Sequence, residues 1–175
     1  MRLRFERDDG GRAAAGFKGT TGDCVVRAVA IASGKPYGEV YKALARGMGE
    51  QRQTRGIRSR ATARRGVSVR RKWFKDYMRA LGFEWTATMH IGSGCKVHLH
   101  DGELPAGHLV VSVSKHYVAV VDGVIRDLSD PRRDGVRTER FPGWETAPLK
   151  PGQTRNVNGV HTVERRCVYG YWRKA

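Results

Sequence analysis

Acidic residues are scarce in this chain: 17 Asp and Glu stand against 33 Lys and Arg, a formal net charge of +16. Such an excess attracts polyanions, either nucleic acid or an acidic protein surface, and says nothing about fold. Between Gln51 and Lys75 there is no acid at all, while Arg52, Arg55, Arg58, Arg60, Arg64 and Arg65 crowd together. Aromatics are also missing there until Trp73 and Phe74, which argues against a base-stacking surface. Self-repulsion opposes compact structure, so residues 51–72 read as a solvated, mobile loop. Its cationic stretch 52–75 is the place where nucleic acid or an acidic protein would bind. Long apolar runs are absent too, none approaching the ~20 residues a bilayer requires, so no membrane contact is expected. The first residues lack the apolar stretch of a secretory signal. Cysteine is sparse: Cys24, Cys95 and Cys167 are odd in number and far apart, which predicts no disulfide framework and a reducing, cytoplasmic setting. No repeat is visible. The glycine-rich Ile91–Cys95 stretch lacks the Gly-Lys-Ser/Thr ending of a phosphate-binding loop. His90, Cys95, His98 and His100 follow no zinc spacing, so neither metal nor cofactor is expected.

What remains is enough for one domain. At 175 residues the chain can bury a sizeable core. It reads as a single unit, 1–175, with residues 1–19 as a polar lead-in and 131–165, rich in Pro, Gly and Arg, as an insertion or loop. Its organising stretch is Thr20-Thr21-Gly22-Asp23-Cys24, running into Val25–Ala32. Gly22 suits a tight turn and Asp23 a helix N-cap. The helix that follows is apolar nearly all round, interrupted only by Arg27, and belongs in a core. Ser33-Gly34 and Pro36 stop it.

Cys24 thus falls in the first turn of a buried helix, where unpaired N–H groups and the helix dipole favour a thiolate. Position alone more commonly marks a small buried apolar residue, the usual fate of a free cysteine. A base elsewhere in the chain must decide.

Downstream, Tyr37, Val40, Tyr41 and Leu44 mark an amphipathic helix ended by Gly47 and Gly49. Trp73, Phe74, Tyr77, Met78 and Leu81 mark another, closed by Gly82. Phe83, Trp85, Ala87 and Met89 then alternate with polar residues, as in a half-buried strand. Lys96–His100 is a candidate short strand. Leu109–Ser114, His116–Val121, Val124–Asp127 and Cys167–Trp172 complete a sheet, giving an α+β fold with helices first and an antiparallel sheet after.

The two-residue Asp122-Gly123 turn sets a register. It pairs Val121 with Val124, Val120 with Ile125 and Val118 with Asp127. His116, Val118, Val120, Ile125 and Asp127 then project the same way, making His116 and Asp127 diagonal neighbours. A thiol at a helix start, a histidine on one strand and an acid on the next form the constellation for thiol acyl transfer. Asp122 is explained by the turn. Asp130 is the rival acid, but an unbroken ladder gives it the opposite parity.

These pieces carry a resemblance. Gly22–Ala28, Met89–Leu99, Glu103–Pro105, Val110–His116, Val120–Asp127 and Val168–Trp172 together resemble papain-like cysteine peptidases of the C39-like type. They are closest to small uncharacterised phage and bacterial proteins of that superfamily. The resemblance implies a papain-like fold and a cysteine peptidase acting on a peptide or isopeptide bond. It implies Cys24 as nucleophile, His116 as general base and Asp127 as orienting acid, in the host cytoplasm for a phage-encoded chain. C39-like peptidases often carry their acid in an Asp-Pro pair, as Asp130-Pro131 would be. Papain-like peptidases usually place an oxyanion-donating glutamine about six residues before the cysteine. Here that position is Lys18, with Thr20 and Thr21 as substitute donors. The competing expectation is a weak or inactive papain-like module that binds nucleic acid or an acidic host protein through its basic surface.

Overall fold

A computed structural model describes residues 3–19, 22–52, 61–150 and 153–175. Among them the chain runs β1 (Arg4–Arg7), α1 (Cys24–Ser33), α2 (Tyr37–Glu50), α3 (Lys72–Ala80), β2 (Phe83–Ala87), β3 (His108–Val113), β4 (His116–Val121), β5 (Val124–Asp127), β6 (Gly135–Glu139), β7 (Gln153–Asn156), β8 (Gly159–Glu164) and β9 (Val168–Lys174). This is an α+β arrangement. A six-stranded sheet in the order β1-β5-β4-β3-β9-β2 carries the helices, and β6-β8-β7 form a separate three-stranded sheet.

The large sheet is apolar on both sides. Val110, Ala119 and Trp172 pack with α1, α2 and α3, where Val26, Val29, Leu44, Phe74 and Met78 are fully or almost fully buried. Leu109, Val111, Val118, Val120, Ile125 and Val168 face the other way, under Leu3 and Leu99. Coverage on both faces explains why β3 reads as an unbroken apolar run instead of an alternation. Each fully buried side chain of this size contributes roughly 1.5–3 kcal/mol.

The hairpin register is the one the Asp122-Gly123 turn predicts. Val121 pairs with Val124, Val120 with Ile125 and Ala119 with Arg126. Asp122 and Gly123 take φ of 47° and 77°, the left-handed values such a turn needs.

Several expectations need correction. The lead-in is not idle: β1 pairs in parallel with β5, so the sheet is mixed and not purely antiparallel. The 131–165 segment holds β6, β7 and β8. Lys96–His100 forms no strand, only a single bridge between His98 and Cys167. The helix α2 runs through Gly47 and Gly49 to Glu50. These glycines give room to neighbours, since a Cβ on Gly47 would meet the Trp73 ring at 2.3 Å. Gly22 serves the same purpose and makes no left-handed turn: its missing Cβ would lie 2.8 Å from the Arg64 carbonyl oxygen.

The arginine-rich loop is only partly solvated. Residues 53–60 lie outside the described residues, but Ala63 is fully buried and Val67 and Val69 pack on the helical core. Finally, Cys95 and Cys167 are joined in a disulfide with their Cα atoms 5.9 Å apart, leaving Cys24 as the free cysteine. The expected absence of disulfides was wrong, and the cysteine count no longer argues for a reducing compartment. Two cysteines 72 residues apart in sequence meet here because β9 returns beside β3 and brings Cys167 against the 95–99 stretch. Among the described residues no helix is long and apolar enough to cross a membrane.

Candidate functional site

Cys24 is the first residue of α1, His116 the first of β4 and Asp127 the last of β5. Because β4 and β5 are antiparallel, the latter two stand at the same end of the sheet, and α1 packs along β4. His116 hydrogen-bonds through Nε2 to the Asp127 carboxylate, and its ring also hydrogen-bonds with the Cys24 side chain. Asp130 does not take part in this contact. Its carboxylate is engaged by the Arg132 guanidinium, with Nε 2.8 Å from Oδ1, and by the Arg132 backbone N–H.

Burial pushes the Cys24 thiol up. The His116 ring, the backbone N–H of Tyr117 and the positive charges of His116 and Arg27 outweigh it and hold Cys24 below the ordinary thiol range. His116 is carried up to about 9, chiefly by its bond to Asp127 and then by Cys24, against the effect of burial. Burial likewise favours protonation of Asp127. The bond and charge of His116, the Leu128 N–H at 2.7 Å and Arg27 overcome that and leave the carboxyl below its usual range. Both shifts favour the thiolate–imidazolium form of the pair over the neutral one.

Arg27 is the residue that sequence reasoning undervalued. It is buried inside an otherwise apolar helix, and its guanidinium reaches Asp127 at 3.4 Å while also pairing with Asp23. Asp23 stands at the N-cap position but makes no side-chain cap bond. Instead its buried carboxylate takes Arg12 Nε at 2.9 Å, Arg27 and the Tyr37 hydroxyl. The expectation of a capping Asp23 was wrong because three buried donors offer more than one helix N–H. Arg12, Asp23, Arg27, Asp127, His116 and Cys24 thus form a chain in which basic and acidic groups alternate, three of each, so that their charges can balance. That balance is what lets so many ionisable groups sit in a low-dielectric interior. The available signal was a lone arginine four residues after an aspartate on a buried helix, since buried charges are almost always paired. Nothing in the sequence pointed to Arg12.

The strand start that carries His116 is also held from outside. Ser114 and Lys115 form a two-residue turn between β3 and β4, with Lys115 at φ 56°. The Arg166 guanidinium donates to the Ser114 carbonyl at 2.6 Å and to that of Pro131 at 3.1 Å.

Cys24 and His116 open onto a cleft of about 750 Å³. Two of the residues expected to half-bury β2, Trp85 and Met89, line it instead. Phe83 is buried, but Trp85 and Met89 remain 41% and 37% exposed. Trp85 lies over Gly170, where a Cβ would come within 2.3 Å of its ring, and packs against Trp172 with centroids 5.3 Å apart. A register shift between β3 and β9 leaves Tyr169 unpaired opposite Ser112 and Val113, and Tyr169 lines the same cleft. Such bulges re-aim side chains beside sites and leave no sequence signature here.

Of the residues named for an oxyanion donor, Thr20 and Thr21 lie outside the described residues. Lys18 accepts on its carbonyl from Arg12 at 3.3 Å and from Arg64. Of the four residues weighed for a metal, Cys95 is in the disulfide and His98 Nδ1 pairs with Glu103 at 3.0 Å. No family model, curated protein or solved structure matches this chain.

Proposed function

We propose that the chain is a thiol hydrolase of papain-like type that cleaves a peptide or isopeptide bond. The observation that carries the reading is the contact series from Cys24 through His116 to Asp127, with Arg27 behind the acid and an open cleft in front of the thiol.

Each residue has a defined task. The Cys24 thiolate attacks the scissile carbonyl carbon, and the carbonyl oxygen takes the negative charge. Backbone N–H groups at the start of α1 are the donors available to it. The imidazolium of His116 gives its proton to the leaving amine nitrogen as the C–N bond breaks, which leaves a thioester on Cys24. His116, now neutral, removes a proton from water. The hydroxide attacks the thioester, the carboxylic acid departs, and the ion pair is restored. Asp127 holds the imidazole orientation throughout.

A second reading has its own observation. Lys18 stands where a papain-like glutamine would donate to the oxyanion, and loss of one such donor typically costs roughly 10²–10³ in rate. That favours a module that keeps the fold and binds nucleic acid or an acidic protein.

Iodoacetamide kinetics separate the two. With Cys95 and Cys167 bonded to each other, alkylation reports on Cys24. The hydrolase reading expects fast alkylation well below the ~8.5 of a free thiol, slowed in His116→Gln. A profile matching free cysteine, unchanged in His116→Gln, would sink it.

A further inference from the structure

The chemistry proposed above leaves the make-up of the cleft unexplained. Its floor is aromatic and apolar, built from Trp85, Met89, Tyr169 and Trp172. Its rim carries Arg70, Lys75, Arg79 and Lys115, and no Asp or Glu among the described residues lines it. Arg79 is already paired with Asp76 at 3.3 Å. Arg70, Lys75 and Lys115 have no carboxylate partner among the described residues. Lys115 holds its place at a left-handed turn position that glycine or asparagine would occupy with less strain.

Three unpaired cations around one apolar floor repel each other in the empty protein, and a matching anion relieves that repulsion. A groove lined by one sign of charge also concentrates ligands of the opposite sign. The exposed Trp85 and Met89 leave apolar area in water that a large side chain would cover.

From this we infer that the acyl substrate is an acidic peptide. A large apolar or aromatic side chain lies on Trp85, Met89 and Tyr169, and flanking Asp or Glu side chains meet Arg70, Lys75 and Lys115. The inference rests on the thiol-hydrolase reading. A nucleic acid would match the charge and stack on the floor, but it offers the thiolate no peptide-like acyl carbon with an amine leaving group.

The test uses two peptidyl vinyl sulfones that share a phenylalanine and differ only in their neighbours, Glu in one and Lys in the other. The Cys24 thiolate adds to the vinyl carbon β to the sulfone, the one joined to the peptide, and the His116 proton ends on the carbon beside the sulfone, with no leaving group. Labelling rates are divided by the iodoacetamide rate of the same protein. The Glu probe is expected to react at least about ten-fold faster at low salt, because focusing by charged clefts raises on-rates by 10-fold or more. The gap should close as salt rises to about 0.5 M, where screening lengths fall toward ~3–5 Å. It should also close in the double variant Arg70→Gln, Lys75→Gln. Replacing the phenylalanine of the Glu probe by glycine should cost about ten-fold, the worth of roughly 1.4 kcal/mol of contact.

Equal rates for the two probes on a Cys24 that still alkylates fast would overturn the acidic substrate and leave the hydrolase reading standing. Slow alkylation and slow labelling together would overturn both. Protection of Cys24 by a single-stranded oligonucleotide, with no discrimination between the probes, would reassign the cleft to nucleic acid.

Discussion

Asp127→Asn keeps the side-chain shape but removes the charge that holds His116. The amide can still touch Nε2, yet it no longer favours the imidazolium or fixes the tautomer that faces Cys24. Turnover of a labelled acidic peptide should fall by roughly 10³–10⁴-fold, by analogy with the loss of the acid in other triads. Asp130→Asn should cost little, because that carboxylate serves Arg132. Comparable losses in both variants would place the acid wrongly. The pH dependence follows from the same groups. On the hydrolase reading activity needs Cys24 ionised and His116 protonated, so it should rise at a pH below the ordinary thiol range and fall as pH passes about 9. His116 contributes to stability with the same upper limit. Its folded pKa is raised, so its share is complete below the ~6.5 of an unfolded histidine and is lost as pH climbs through about 9. Asp127 works the other way, being depressed, and its share is lost on acidification through its folded pKa. Thermal melts across pH, compared between the parent and His116→Gln, check both signs.

Among the elements, α1, β4 and β5 were legible because their signals are local. An Asp-Gly turn fixes its own register, and an apolar run after Gly-Asp-Cys reads as a buried helix whatever lies around it. The parity that joined His116 to Asp127 needed only that turn. By contrast, β1, the bulge at Tyr169 and the disulfide depend on partners far along the chain, and no local pattern carries them. The strand β2 forms as expected, but its burial differs in an instructive way. Its alternation was real and Phe83 enters the core, but Trp85 and Met89 of the same face line an open cleft, and hydrophobicity alone cannot distinguish the two destinations. Gly170 exposes the device that keeps this face in place. Gly170→Ala would drive a methyl group into the Trp85 ring and should destabilise the fold by about 1–3 kcal/mol, as overpacking does. It should also weaken the phenylalanine preference of the cleft, and indole fluorescence should shift. An unchanged melting temperature together with an unchanged spectrum would mean that Trp85 does not rest on this strand.

Across the whole molecule, the helices and the large sheet form one packed unit with the candidate site at its end, while β6, β7 and β8 build a second sheet of their own. The disulfide ties the 95–99 stretch to the start of β9 across 72 residues of sequence. Cys95→Ser with Cys167→Ser should lower stability by about 2–4 kcal/mol in denaturant titrations, through the looser unfolded chain. No loss would mean the bridge is absent from the protein in solution. The placing of β9 between β3 and β2 has a consequence for biosynthesis. Cys24 leaves the ribosome early and Trp172 late, so the thiol exists long before the strand that floors its cleft. His116 and Asp127 also arrive about a hundred residues after it, and long-range strand pairing is slow to form. On the hydrolase reading, a chain still under synthesis has the thiol without the cleft that would hold a substrate against it, so cutting of its neighbours waits until the last strand has threaded into the sheet.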